Sequence, residues 1–188
     1  MAVITWTGNG DGTSWSNTAN WDTNTVPSVA DTVTVDVAAN ITADVDIQVT
    51  QLNLLAGTLT STGTTNWSGN FDIAANASVN LSGQIQTFTT GTIFTGAGVL
   101  ECLSGELNID DEVSIQSQFK AQNTSTLKVK NKLKLEGVSE ISGACDIAEN
   151  GSVELSGQTH TFTTGSSFTG LGVVDFISGE LNVADEVS

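Results

Sequence analysis

The chain has 188 residues with 21 acidic and 5 basic side chains, a formal net charge of -16, no Tyr and, since all five basic residues are Lys, no Arg. That balance repels nucleic acid and anionic membrane surfaces, so neither is expected as a partner. No apolar run approaches the roughly 20 residues of a membrane helix, so no membrane insertion is expected.

The opening "MAVITWTG" has neither the basic n-region nor the long apolar h-region of a signal peptide. Either the protein is not exported by that route, or this is a mature form to which Met1 has been added; the second reading is favoured. Residues 1–39 differ from the rest of the chain. They hold Trp6, Trp15 and Trp21, three of the four Trp. Gly8, Gly10 and Gly12 suit tight turns with positive φ. Pro27 and Asp31 precede an alternating strand, Val33-Thr34-Val35. The segment is expected to cap the first edge of a stack of strands with large aromatic side chains. Two other readings are open. The flat faces of Trp6, Trp15 and Trp21 would stack on pyranose rings in a ligand-binding site. "NGDG" at residues 9–12 would be a weak Ca²⁺ loop, although it lacks the acidic spacing of a known site. No cofactor or metal is expected.

From residue 40 onward, Thr, Ser, Asn, Gly, Val and Ala alternate, the composition of short strands joined by polar turns. The chain also repeats itself. Gly69–Ser114 and Gly143–Ser188, offset by 74 residues, are identical at 30 of 46 positions. Asn40–Ser68 and Ser114–Ser142, at the same offset, agree at only 6 of 29. This divides the chain into a cap at 1–39, a first repeat at 40–114 and a second at 115–188, forming one continuous solenoid. A shorter motif, apolar-x-apolar followed by a polar turn, starts at Leu107, Leu127, Cys145, Phe162 and Leu181, in steps of 20, 18, 17 and 19. Alternation with period two buries one face of each strand. Steps this short leave no room for a strand–helix–strand crossover. The expected fold is therefore all-β, a parallel β-helix (β-solenoid) with about four coils per repeat, with β-sandwich repeats as the alternative. Leu107, Ile109, Leu127, Val129, Ile147, Leu155, Leu181 and Val183 are expected to stack inside.

All five Lys lie between Lys120 and Lys134. They read either as a basic patch for an anionic glycan or as rungs of inter-coil charge ladders. In the ladder reading Lys130, Asn131 and Lys132 stand over Asp110, Asp111 and Glu112, and Lys128 and Lys134 lie beneath Asp146 and Glu154. Cys102 and Cys145 match Phe176 and Phe71 in the other copy, so both are expected to be buried and unpaired. His160 matches Gln86 and is expected to point outward. The outward positions Asn108, Lys128, Asp146 and Asn182 are too mixed for a flat ice-binding array.

The run from Trp6 to Trp15, with Asn20-Trp21, Pro27 and Asp31, resembles the opening module of large secreted bacterial surface proteins. These include autotransporter-passenger-like and haemagglutinin-like adhesins. "FTGAGVLECLSGELNI" at residues 94–109 resembles their β-helix coils. The resemblance implies a right-handed β-helix, an extracellular or cell-surface location and an adhesive or structural role, with no shared catalytic residues. A fragment of a longer surface or filament-forming protein is the first functional expectation. A carbohydrate-binding adhesin and a lyase-like polysaccharide enzyme are the alternatives. The absence of Arg and Tyr, and carboxylates that recur between copies, weigh against catalysis. The last coil, ending on "DEVS", is expected to carry an unpaired sheet edge, met by further repeats of the same protein or by head-to-tail self-association.

Overall fold

The computed structural model describes residues 2–188; Met1, expected from the sequence to be an added residue, lies outside the described residues. The chain enters as β1 (Val3–Thr5), passes a Gly-rich loop and a single 3₁₀ turn at Thr18–Asn20, and begins to stack with β2 (Thr32–Val35) and β3 (Asn40–Thr42). The next turn is β4 (Ile47–Leu54) with β5 (Gly57–Ser61), and the one after it is β6 (Thr65–Ile73) with β7 (Ala77–Leu81). Each later turn has three short strands. The first is β8 (Ile85–Phe88), β9 (Ile93–Thr95) and β10 (Val99–Cys102), followed by β11 (Gly105–Ile109), β12 (Val113–Ile115) and β13 (Gln118–Ala121). Then come β14 (Ser125–Val129), β15 (Lys132–Leu135) and β16 (Ser139–Ile141), and after them β17 (Ala144–Ile147), β18 (Ser152–Leu155) and β19 (Thr159–Phe162). The last turn is β20 (Ser167–Gly170), β21 (Val173–Phe176) and β22 (Glu180–Val183).

The result is a β-solenoid of about 8 turns, with strands paired in parallel between turns rather than in the antiparallel hairpins of a sandwich. Three ladders run along it. The first joins β8, β11, β14, β17 and β20; the second β9, β12, β15, β18 and β21; the third runs from β3 through β5, β7, β10, β13, β16 and β19 to β22. The longer β4 and β6 each serve both of the first two ladders. Alternation sends every second side chain inward, so like stacks on like: Leu107 pairs with Leu127 and Ile109 with Val129. Leu107, Ile109, Leu127, Val129, Ile147 and Leu155 are all buried, whereas Leu181 and Val183, also expected inside, are exposed, because β22 pairs with β19 alone and no strand of the described residues lies over it. At the corners the turns approach too closely for a side chain. A Cβ on Gly105, whose φ is +85°, would lie 1.7 Å from the carbonyl oxygen of Gly83 on the turn before.

Two details differ from the sequence reading. The step from Cys145 to Phe162 changes ladder. Cys145 lies between Leu127 and Phe168 on the first, whereas Phe162 lies between Ile141 and Val183 on the third. The repeat is also not four whole coils. Strand β11 belongs to the first ladder, and its copy β22, eleven strands later, belongs to the third. At three strands per turn the offset is three turns and two faces. The second copy is therefore rotated by one face about the axis relative to the first. Local geometry survives this rotation. Gly83 N–H donates to Ser104 Oγ at 3.2 Å, and Gly157 N–H donates to Ser178 Oγ at 3.1 Å. Thr95 Oγ donates to Asp72 at 3.4 Å, and Thr169 Oγ to Asp146 at 3.4 Å.

The N-terminal segment closes the first end. Strand β1 pairs with the outer edge of β2, and Ser14 bridges to Thr42 on the outer edge of β3. Under this cover Trp21 packs edge-on against Trp6 and Trp15, with ring centroids 4.9 and 4.8 Å apart, and its Nε1–H donates to the Trp15 carbonyl at 2.8 Å. The solenoid core depends on complete inward stacking, so Leu127→Ala is expected to cost about 2–5 kcal/mol in urea unfolding, as buried Leu truncations do. A loss under about 1 kcal/mol would place Leu127 outside the core.

Candidate functional site

The chemistry-bearing side chains gather on the outside of the turns from β11 to β18. Four ion pairs lie there among the described residues: Lys128 Nζ to Glu106 Oε2 at 2.5 Å, Lys130 Nζ to Asp110 Oδ1 at 2.7 Å, Lys132 Nζ to Glu154 Oε2 at 3.1 Å, and Lys134 with Glu112. Every pair joins residues of different turns. The fifth lysine, Lys120, stands in register between Glu101 and Glu140. The lysines are thus placed among carboxylates and do not form a free basic patch.

The pairing differs in detail from the one expected. Lys130 does meet Asp110. Lys132 reaches Glu154 rather than Glu112, and Glu112 takes Lys134. Asp111 accepts from Thr90 Oγ at 2.6 Å. Lys128 and Lys134 share register positions with Asp146 and Glu154, but each forms its contact with the turn before. A lysine is long enough to lean diagonally, so the column it occupies does not fix its partner. The hydrogen bond from Lys128 holds Glu106 below the usual carboxylate range, and that from Lys134 does the same for Glu112. Asn108, Lys128 and Asp146 share one column, but Asn182 stands on the third ladder.

The tryptophans are not a sugar platform. Trp6, Trp15 and Trp21 are only 2%, 1% and 1% exposed, so no ring face is open to a ligand. Burial follows from the cap role, since these rings cover the apolar end of the first turns. The residues that hold the cap together, Asn20, Asp11 and Asp31, entered the sequence reading only as members of motifs, with no structural role assigned to them. Asn20 is fully buried; its Oδ1 accepts from the N–H groups of Gly10 (2.9 Å) and Gly12 (3.0 Å), and its Nδ2 donates to Asp11 at 2.7 Å and to the Ser14 carbonyl at 2.9 Å. The Asp11 carboxylate also accepts from the N–H groups of Ser14 and Thr13, which hold it far below its ordinary range. The loop read as a weak Ca²⁺ site therefore uses its one carboxylate to fasten itself. Asp31 is likewise held low, by the Ser28 hydroxyl and by the Ala2 and Ser28 N–H groups.

His160 and Gln86 both point inward and are buried, which corrects the outward expectation. Gln86 Oε1 accepts from Trp67 Nε1–H at 2.9 Å, and its Nε2 donates to the Gly63 carbonyl at 2.5 Å. In the second copy Ile141 stands in place of Trp67 and offers no donor, and the facing residue is His160. Its Nδ1 lies 2.9 Å from Ser139 Oγ, while Nε2 has no partner. The paired exchange of Trp67 with Gln86 for Ile141 with His160 is readable in the sequence once the copies are aligned. Burial lowers the His160 pKa below its usual 6.5. Cys102 and Cys145 are buried and unpaired, and burial pushes both thiols up, Cys145 to about 12.

One open groove crosses the corner between the second and third ladders. Gln116, Gln118, Glu136 and Gln158 line it together with Gly96, Ala97, Gly137 and Val138, around a volume of about 490 Å³. Glu136 is anchored there by Ser114 Oγ at 2.6 Å and Gln116 Nε2 at 3.0 Å.

Two outcomes are expected. Lys130→Glu combined with Lys134→Glu puts like charges opposite Asp110 and Glu112, so the urea midpoint falls at low salt and the deficit shrinks as salt is added. An equal deficit at all salt concentrations would remove the electrostatic explanation. The folded state also favours neutral His160. The unfolded state binds more protons below pH 6.5, so stability falls as the pH drops beneath that value. His160→Gln is expected to flatten this part of the stability–pH curve while leaving the carboxylate region near pH 4 in place. An unchanged slope would exclude His160 as its source.

Compared with protein-family models, curated proteins and solved structures, the chain matches none.

Proposed function

We propose that the chain is a structural or adhesive β-helix module of a longer cell-surface or filament-forming protein, placed outside the cell and carrying out no catalysis. The observation that supports this most is the rotation between copies. The same 46-residue pattern is rebuilt with the same corner hydrogen bonds on a different face of the rod. A pattern that can be turned about the axis without loss serves the rod itself rather than one fixed centre. The charge ladders act between turns, which suits a module whose task is to hold its shape over distance. Further repeats of the same protein are the natural neighbours along such a rod.

A second reading, the carbohydrate-binding adhesin, draws on the groove with Gln116, Gln118, Glu136 and Gln158. Their amides and carboxylate can donate to and accept from sugar hydroxyls. The Trp side chains take no part in that reading.

An antibody against residues 1–188, applied to intact source cells, tests the location. Labelling without permeabilisation, removed by brief external proteolysis, is the expected result. Labelling only after permeabilisation would defeat the surface reading. Release of reducing ends from a panel of polysaccharides would defeat the non-catalytic one, and glycan-array binding lost on Gln118→Ala would favour the adhesin.

A further inference from the structure

The groove over Gly137 and Val138 belongs to one place on the rod. At the offset of 74 residues, Gln118, Glu136 and Val138 stand where the first copy has Asp44, Thr62 and Thr64. All three lie in the stretch where the copies agree at only 6 of 29 positions, so the frame repeats and this lining does not.

Register sets out the lining. Continuing the pairing of Ile115 with Leu135 puts Gln116 beside Glu136, and continuing that of Phe119 with Ser139 puts Gln118 beside Val138. Gln158 lines the groove from the turn after. Val138 is 42% exposed. The glycines leave it bare: a Cβ on Gly96 or Gly137 would lie 2.2 Å from a carbonyl oxygen of the turn before. Glu136 is pinned by one oxygen only. Ser114 Oγ and Gln116 Nε2 both donate to Oε2, and Oε1 accepts no hydrogen bond among the described residues. The side-chain amides of Gln118, half-buried, and Gln158, exposed, make none either. The groove thus offers a free acceptor held in place and two groups that each donate and accept, spaced two turns or roughly 10 Å apart across an apolar strip.

That set narrows the occupant. An extended peptide adds to an open strand edge. Here β13 is paired with β10 and β16, and β16 with β13 and β19. The N–H groups of Gln116, Gln118, Glu136 and Gly137 already donate to carbonyls of the turn before. Recognition is left to side chains. Sugar hydroxyls donate and accept as amides do, and the C–H face of a sugar ring suits Val138 and Ala97. An acidic glycan would bring its charge against Glu136, in a chain whose net charge is -16.

We propose that this groove binds an uncharged glycan chain laid along the rod axis, with hydroxyls on Gln118, Gln158 and Glu136 Oε1 and a ring face on Val138. The proposal rests on the carbohydrate-binding reading of the function and adds the charge and the seat of the ligand.

The test is biolayer interferometry of the full chain on immobilised starch, mannan and β-glucan, with polygalacturonate, dextran sulfate and gelatin in parallel. Saturable binding to a neutral polymer is expected, with none to the acidic ones. Gln118→Ala combined with Gln158→Ala is expected to weaken it by about tenfold or more, and Val138→Asp to weaken it likewise, with circular dichroism verifying that both variants fold. Binding to an acidic polymer that these variants lose would overturn the uncharged class while leaving a glycan-binding groove. Binding to a neutral polymer that neither variant weakens would overturn the seat while leaving the adhesin reading. Binding to gelatin, lost on the same substitutions, would put a polypeptide in the groove and overturn the proposal. No saturable binding to any polymer would overturn it together with the adhesin reading.

Discussion

Everything in this molecule depends on parallel pairing between one turn and the next. A strand in a solenoid has two edges, and each edge must be met by the turn before or after it, or by a cover. Pairing at that spacing puts equivalent side chains directly over one another, so the inward position of every turn must agree with its neighbours. The stacks of Leu, Ile, Val and Phe are the consequence, as are the corner glycines where backbone meets backbone. Gln86 and His160, polar residues that point inward, each find a partner on an adjoining turn.

The same constraint shapes the surface. With turns this close, outward side chains of neighbouring turns are the nearest neighbours a charge can have. A chain with 21 acids and 5 lysines cannot balance its charge everywhere. It places the lysines in consecutive turns among carboxylates, where opposite signs favour one register and like signs disfavour a slip. Beside the first turns, Asn20 and Asp11 fasten a Gly-rich loop over a Trp cluster and the outer edges of β2 and β3 are met.

The polar core pair illustrates how internal repetition records structural demand. Trp67 requires an acceptor for its indole N–H, and Gln86 supplies it. When the position of Trp67 becomes Ile141, the demand disappears and the facing residue changes to His160. One nitrogen of that imidazole is satisfied by Ser139 and the other is not.

The sequence by itself determined the strand character, the inward positions of Leu107, Ile109, Leu127, Val129, Ile147 and Leu155, the presence of a cap and the existence of stacked turns. These are local properties: alternation with period two selects the buried face of a strand, and Gly with Trp marks an unusual end. It also placed Lys130 against Asp110, because both sit at matching points of adjacent motifs. Only the tertiary structure decided which face each strand joins. The motifs at Cys145 and Phe162 look alike but occupy different ladders, because a turn holds three nearly equivalent strands and the residue count between motifs does not say which corner the chain has rounded. The direction of His160, the diagonal partners of Lys132 and Lys134, and the burial of Trp6, Trp15 and Trp21 were decided there too. Each depends on how a long side chain or a loop settles against a neighbouring turn, a contact between residues far apart in the chain that no local pattern encodes.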